Sequence, residues 1–206
     1  MKKTKLEPAE EFVTVKECLK AATEKYAKNV AFVIKNKEGK EITYTDITYE
    51  QFGKDMRNLG TALIDLGLEN KRIAIIGKNS YEWAVTYGAV LSGVGVTVPL
   101  DKGLQENETI MSLQRSKADA IFFEENYIDT INEIVNNGKT KISKCICMDD
   151  VKQDNIESFI LLKSEIEKLV HFKKHSKTIT KDVAIPIPVA FPTSVVIPIK
   201  GHNARN

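Results

Sequence analysis

From Arg72 onward the sequence alternates short apolar runs with amphipathic segments, and this alternation constrains the fold more than any other feature. Four apolar runs predict strands, at residues 73–76, 97–100, 120–123 and 145–148. The segments between them carry apolar residues three or four positions apart, which is typical of helices. Strands that are apolar at nearly every position indicate a parallel sheet that is covered on both faces. The sequence therefore predicts an α/β fold with a doubly wound, mainly parallel sheet.

The residues before Arg72 predict a helix, a strand, a turn and an extended segment, in that order, at residues 13–28, 29–35, 37–40 and 41–47. The strand NVAFVIK is expected to be buried because it is almost wholly apolar. A second helix is predicted to begin at a capping box, Thr48 to Gln51. Its apolar stripe consists of Phe52, Met56, Leu59, Leu63 and Leu66, and Gly67 is predicted to end it.

The glycine in AIIGKNSYEWA, residues 74–84, is a candidate for a phosphate-binding turn. A dinucleotide turn needs the pattern Gly-x-Gly-x-x-Gly, in which the second glycine lets the backbone approach pyrophosphate. Gly77 is followed by Lys78-Asn79-Ser80, so only the first glycine is present. We interpret the stretch as a strand-to-helix corner capped by Asn79 or Ser80. The missing glycines also argue against a nucleotide-dependent oxidoreductase.

The helix after this corner contains three residues with predicted packing roles. Gly88 and Gly93 are expected to let the helix lie close to the sheet, and Trp83 is expected to anchor the core.

Other candidate residues indicate structure rather than chemistry. His171 and His175 are four apart, but the stretch lacks the Glu of His-Glu-x-x-His, so we interpret it as a solvated helix end. Cys145 and Cys147 should share a sheet face as small core residues. Asp149-Asp150 is interpreted as a turn after a strand, and no Gly-x-Ser-x-Gly elbow is present. The sequence therefore predicts no catalytic, cofactor-binding or metal-ligating residue.

The carboxyl-terminal part differs in composition from the rest of the chain. An amphipathic helix is predicted at residues 156–172, and residues 171–206 form a basic tail with four of the six prolines. Proline cannot donate to a sheet ladder, so this part is predicted to be an extended tail or a segment at a sheet edge. Residues 168–206 carry seven basic side chains against Asp182, but they lack interleaved aromatic residues, which argues against nucleic-acid binding.

The expected location is cytoplasmic. Cys18, Cys145 and Cys147 do not make a disulfide framework. The amino terminus has basic residues without an apolar run behind them, so no signal peptide is predicted. No apolar run reaches the roughly 20 residues needed for a transmembrane segment.

Residues 41–101 resemble the beginning of the adenylate-forming (AMP-binding) enzymes, especially the acyl-CoA synthetases, or fatty-acid–CoA ligases. The shared string consists of Ile42-Thr43-Tyr44 or its near repeat at 47–49, Leu66-Gly67-Leu68, Arg72 to Ile75, Asn79 to Trp83, Gly93 to Gly95, and Val98-Pro99-Leu100. The resemblance covers residues 13–150. It implies an amino-terminal α/β subdomain, at residues 1–170, and the change in composition separates the tail at residues 171–206 from it.

The resemblance implies an enzyme that uses ATP, Mg²⁺ and coenzyme A to convert a carboxylic acid into a thioester through an acyl-adenylate. Its phosphate loop, of the form Thr-Ser-Gly-Thr-Thr-Gly-x-Pro-Lys-Gly, and its catalytic lysine lie beyond the matched stretch. TSVVIPIKG, residues 193–201, shares the ends of that loop but not its central glycines. β-branched residues avoid the positive φ that a phosphate nest needs. The chain is therefore expected to be a truncated, inactive fragment that binds none of these cofactors.

Two further expectations follow. A subdomain that lacks the neighbour present in the family should carry an unpartnered apolar face, so the chain is expected to self-associate through this face or to fold residues 183–199 back over it. The alternative is a stand-alone Rossmann-like binding or interaction module without catalysis.

Overall fold

The computed structural model describes residues 10–149 and 157–158 of the chain. The helices are α1 (Val15–Lys25), α2 (Tyr49–Asp65), α3 (Tyr81–Ala89), α4 (Glu106–Ser116) and α5 (Ile128–Asn136). The strands are β1 (Val30–Glu38), β2 (Glu41–Thr48), β3 (Lys71–Ile76), β4 (Gly95–Leu100), β5 (Ala120–Phe123), β6 (Lys144–Cys147) and β7 (Glu157–Ser158). A π-helical turn, Val90–Val94, follows α3, and a 3-10 turn, Glu125–Tyr127, precedes α5.

Five parallel strands form the main sheet in the order β4-β3-β5-β6-β7, which confirms the predicted parallel sheet. Alternate residues of β3 point to opposite faces. Ile73 and Ile75 pack with Leu59 and Leu63 of α2, whereas Ala74 and Ile76 pack with residues of α4 and α5. Both faces are therefore covered by helices, which explains why the strands are apolar at nearly every position.

The strand predicted at residues 97–100, which contains Pro99, is β4 and lies at an edge of this sheet. Pro99 of β4 is opposite Ile75 of β3, its neighbour on one side. Proline has no backbone N–H, so an edge position is where a sheet tolerates it.

Asp119 links the beginnings of three strands. Its carboxylate accepts hydrogen bonds from the Arg72 backbone N–H at 2.9 Å and from Lys141 Nζ at 2.8 Å. Its backbone carbonyl accepts from the Ser143 N–H at 2.8 Å. Burial raises the pKa of this carboxyl, but the hydrogen bonds from Lys141 and Arg72 outweigh burial, and the net pKa is lowered.

We expect Asp119→Asn to lower the free energy of unfolding at pH 7 by about 1–2 kcal/mol. Both donors lose a charged acceptor, and one of them then faces an NH₂ group that cannot accept a hydrogen bond. A carboxyl with a lowered folded pKa stabilises the protein above its unfolded pKa, and this stabilisation is lost as the pH falls through the folded pKa. The difference between the two proteins should therefore shrink as the pH falls below about 4. Urea unfolding at pH 7 and at lower pH measures it. Asp46→Asn, at an exposed position of β2, is the control, and an equal effect of both substitutions would contradict the role of Asp119.

The predicted start of α2 is confirmed in part. Thr48 is the N-cap, and its hydroxyl accepts from the Gln51 N–H at 3.2 Å. The Gln51 side chain does not complete the capping box as predicted. Its amide instead donates to Asp55 Oδ1 at 2.8 Å, because a buried carboxylate one turn away competes for it. Gly67, with φ of +76°, follows the helix end as expected.

The strand predicted at residues 29–35 is confirmed as β1, but its predicted burial is wrong. β1 pairs antiparallel with β2 in a separate two-stranded sheet. Phe32 packs against the core, whereas the side chains of Val30 and Val33 are exposed. An apolar run does not distinguish a ribbon with one open face from a strand covered on both faces.

The predicted role of two glycines also needs correction. A Cβ on Gly88 would meet the sulfur of Met56, so this glycine lets α3 approach α2 rather than the sheet. Gly93 has φ of +134° and lies in the π-helical turn.

The predicted helix at residues 156–172 is wrong at its beginning, because Glu157 and Ser158 pair in parallel with β6. The rest of that helix and the tail at residues 171–206 lie outside the described residues. Within the part of the chain that the structure describes, no helix has the length and apolar character to cross a membrane.

Candidate functional site

The carboxyl ends of β3 and β5 mark the place where this sheet would hold a ligand. The chain passes from β3 to the edge strand β4 and then returns across β3 to β5. Where successive connections leave in opposite directions, the loops diverge and open a crevice, which is the usual ligand site of open α/β sheets. In this protein the loop with Gly77 and the residue Glu124 meet there.

Gly77 forms the tight corner that the sequence predicts. Its φ is +155°, a region that residues with a Cβ rarely adopt. A Cβ at this position would lie 2.9 Å from Glu124 Cγ and 3.0 Å from Met148 Cε. The Ser80 hydroxyl accepts a hydrogen bond from the Trp83 N–H at 3.1 Å. Of the two predicted cap residues, Asn79 and Ser80, Ser80 is therefore the N-cap of α3. The glycine makes room for side chains from neighbouring strands.

A carboxylate of the protein fills this corner. Glu124 is 7% exposed, and it accepts from the Lys78 backbone N–H at 3.0 Å and from Lys78 Nζ at 3.2 Å. The hydrogen bond to Glu124 is the largest cause that raises the pKa of Lys78, and the negative charge of Glu124 is the second. A backbone donor and a cation that could contact a phosphate are thus already paired with Glu124. That arrangement supports the interpretation of the stretch as a scaffold corner, and the lack of phosphate binding stays a prediction.

Other acidic groups at this edge also bind the protein's own backbone. Asp149 accepts from the Glu125 N–H at 2.8 Å, as a turn residue would, and Asp150 lies outside the described residues. Tyr127 donates its hydroxyl to the Lys102 carbonyl at 2.8 Å. Burial, with the nearby charges of Glu124 and Asp101, raises the pKa of Tyr127.

Among the residues described, no three His, Cys, Asp or Glu side chains are placed to hold a metal ion.

The predicted packing of the cysteines is confirmed. Cys147 is a member of the core on the α4 and α5 side of the sheet, and Cys145 packs against it from a half-buried position. Burial raises the pKa of Cys145 to about 11 and also raises the pKa of Cys147. Because the thiolate is the nucleophile, neither thiol is activated at neutral pH. His171 and His175 lie outside the described residues.

Trp83 packs against the core as expected, although it is half-buried rather than fully enclosed. Its indole stacks on Tyr87, with ring centroids 5.0 Å apart and an angle of 13° between planes.

The sequence predictions missed a buried polar cluster between α2 and α3. Asp55 is 1% exposed and accepts from the Tyr81 hydroxyl at 2.7 Å and from Gln51 Nε2 at 2.8 Å. Burial, then the hydrogen bond to Asp55, raises the pKa of Tyr81. Asp55 directly precedes Met56 of the apolar stripe, and this place in the sequence could have indicated that its carboxylate is buried. Glu124 was missed in the same way, because it directly follows the apolar strand AIFF.

Comparison with known proteins places these elements in a wider context. The family model described as AMP-binding enzyme matches residues 19–185. Long-chain-fatty-acid–CoA ligase FadD15 of Mycobacterium bovis is 32% identical over 82 residues, which cover 39% of this chain and 14% of that protein.

Two solved structures are similar in fold. The adenylation domain of a carboxylate reductase from Mycobacterium chelonae has a TM-score of 0.64 and 14% identity, over 77% of this chain and 30% of that chain. Coronafacic acid ligase from Pectobacterium brasiliense has a TM-score of 0.61 and 20% identity, over 74% of this chain and 29% of that chain. The chain therefore spans less than a third of the length of each protein named here.

Proposed function

Because the chain belongs to the AMP-binding enzyme family, we propose that it is the amino-terminal part of an ATP-dependent acyl-CoA synthetase. Such an enzyme joins a carboxylic acid to the thiol of coenzyme A through an acyl-adenylate. The 32% identity with a long-chain-fatty-acid–CoA ligase is the observation that carries the proposal. The fold agrees with it, since one of the two similar structures named above is an adenylation domain and the other is an acid ligase.

We further propose that this chain alone does not catalyse adenylation. ATP, Mg²⁺ and coenzyme A would belong to the whole enzyme, and the described residues do not fit ATP or Mg²⁺. The Lys78 amide and ammonium are both paired with Glu124, and a second anion beside that carboxylate would be repelled. Adenylation builds negative charge on phosphate, which needs free donors or cations in place. Residues 193–201 lack the central glycines that would present such donors.

Mixed with ATP, Mg²⁺, a fatty acid and coenzyme A, this chain should release no pyrophosphate above background. A coupled pyrophosphate assay measures the release, and the M. bovis ligase, assayed in parallel, shows that the conditions support the reaction. Release that depends on the added acid would show that the chain assembles a phosphate site by itself, and the proposal of an inactive part would then be wrong.

A further inference from the structure

An apolar groove of about 300 Å³ lies between α1, α2 and the π-helical turn. Its apolar lining includes Leu19 of α1, Met56 and Ile64 of α2, and Val94 of the turn. The volume is at the lower end of the range for small-molecule sites.

The groove exists because α2 carries glycines where the other helices approach it. Gly53 lets α1 come close, since a Cβ there would lie 2.9 Å from Thr23 Cβ. Gly60 lines the groove without a side chain, and a Cβ there would lie 3.4 Å from Val94 Cγ2, an ordinary contact. A larger side chain at Gly60 would project into the space.

The charged residues that line the groove are mainly basic. They are Lys16, Lys20 and Arg57, together with one acid, Glu24. Glu24 lies 4.0 Å from Lys20 Nζ on the same helix, so these two charges offset one another. Within the described part of the chain, Lys16 and Arg57 form no ion pair, and they leave the rim with net positive charge.

We propose that this groove binds a free single-chain amphiphile with an anionic head group. The apolar lining would bury the chain, and Lys16 and Arg57 would contact the head group at the rim. Charge complementarity selects this class of ligand over a neutral or cationic one of the same length. The inference goes beyond the proposed function and does not depend on it, because binding needs neither ATP nor coenzyme A.

Calorimetry with the full chain tests the proposal, with decanoate below its micelle concentration as the probe. Each buried CH₂ group should strengthen binding about fourfold, so octanoate should bind about fifteenfold more weakly. Decanol should bind more weakly than decanoate, and decyltrimethylammonium should not bind. Arg57→Gln should weaken decanoate binding by about tenfold, whereas Lys28→Gln, at an exposed position outside the groove lining, should leave it unchanged.

Gly60→Leu should abolish binding by filling the groove, whereas Gly60→Ala should retain most of it. Fluorescence of Trp83 checks that both variants fold, and the Arg57 variant provides a second test at an exposed position of α2. The proposal is overturned if decanoate does not bind, or if Gly60→Leu or Arg57→Gln, once folded, leaves its affinity unchanged. Binding only to anionic phospholipid vesicles, or a dimer that Gly60→Leu dissociates, would assign the groove to another occupant and equally overturn it. Neither result would bear on the pyrophosphate assay, so the two proposals can fail separately.

Discussion

Replacing Gly95 with alanine should destabilise the protein by about 3 kcal/mol or more, the largest single effect expected here. Gly95 is the first residue of β4 and lies opposite Lys71 of β3. A Cβ at this position would overlap the Lys71 carbonyl oxygen and would lie 3.1 Å from its backbone nitrogen. Backbone atoms cannot rotate away as a side chain can, so β4 would have to separate from β3. Since a domain is typically stable by 5–15 kcal/mol, such a loss is a large fraction of the total.

Gly88→Ala is the matched control for this substitution. A Cβ on Gly88 would also meet another atom closely, but that atom is the sulfur of the flexible Met56 side chain. Replacing a glycine within a helix also gains about 1 kcal/mol of helix propensity, which offsets part of the repacking cost. Urea unfolding followed by Trp83 fluorescence should therefore separate the two variants clearly. Equal stability of the two variants would contradict the pairing of Gly95 with Lys71.

Gly77→Ala should destabilise the protein by about 3 kcal/mol, from two sources that add. The first is the strain of holding a residue with a Cβ at φ of +155°, about 1–3 kcal/mol. The second is overlap with Glu124 and Met148, which would force both side chains out of the corner. The ion pair between Glu124 and Lys78 would be disturbed as well.

Gly138→Ala separates these two sources. Gly138 also has a positive φ, +64°, but nothing lies within 4 Å of the position its Cβ would take. Alanine there should cost about 1–2 kcal/mol, from the backbone alone. If thermal unfolding finds Gly77→Ala no worse than Gly138→Ala, then Glu124 does not fill the corner as described.

The main sheet could be predicted from sequence because its strands are covered on both faces. Ile73 to Ile76 are fully buried, and such runs have few alternative structures. The hairpin strand β1 was predicted with the wrong burial, since Val33 faces solvent while Phe32 faces the core. For the same run of apolar residues, only the neighbouring elements decide which face is covered.

The features of the candidate site depend on contacts between distant residues, and the sequence pattern does not encode them. Glu124 and Lys78 are 46 positions apart, yet their hydrogen bond decides what the glycine corner holds. Asp55 accepts a hydrogen bond from Tyr81, which is 26 positions away. The Asp55 carboxylate also accepts from the Gln51 side chain, which therefore does not complete the predicted capping box. Local patterns predict a helix start or a turn, whereas these partners are fixed only by packing.

The sequence of the gene and its transcript across the codon for Asn206 tests the central claim most directly. If the chain is the amino-terminal part of an acyl-CoA synthetase, the downstream sequence should encode, in one of its reading frames, a loop of the form Thr-Ser-Gly-Thr-Thr-Gly-x-Pro-Lys-Gly. An in-frame stop codon after Asn206, with no such loop in any downstream frame, would contradict the claim. A stand-alone Rossmann-like module would then be the better account of the protein.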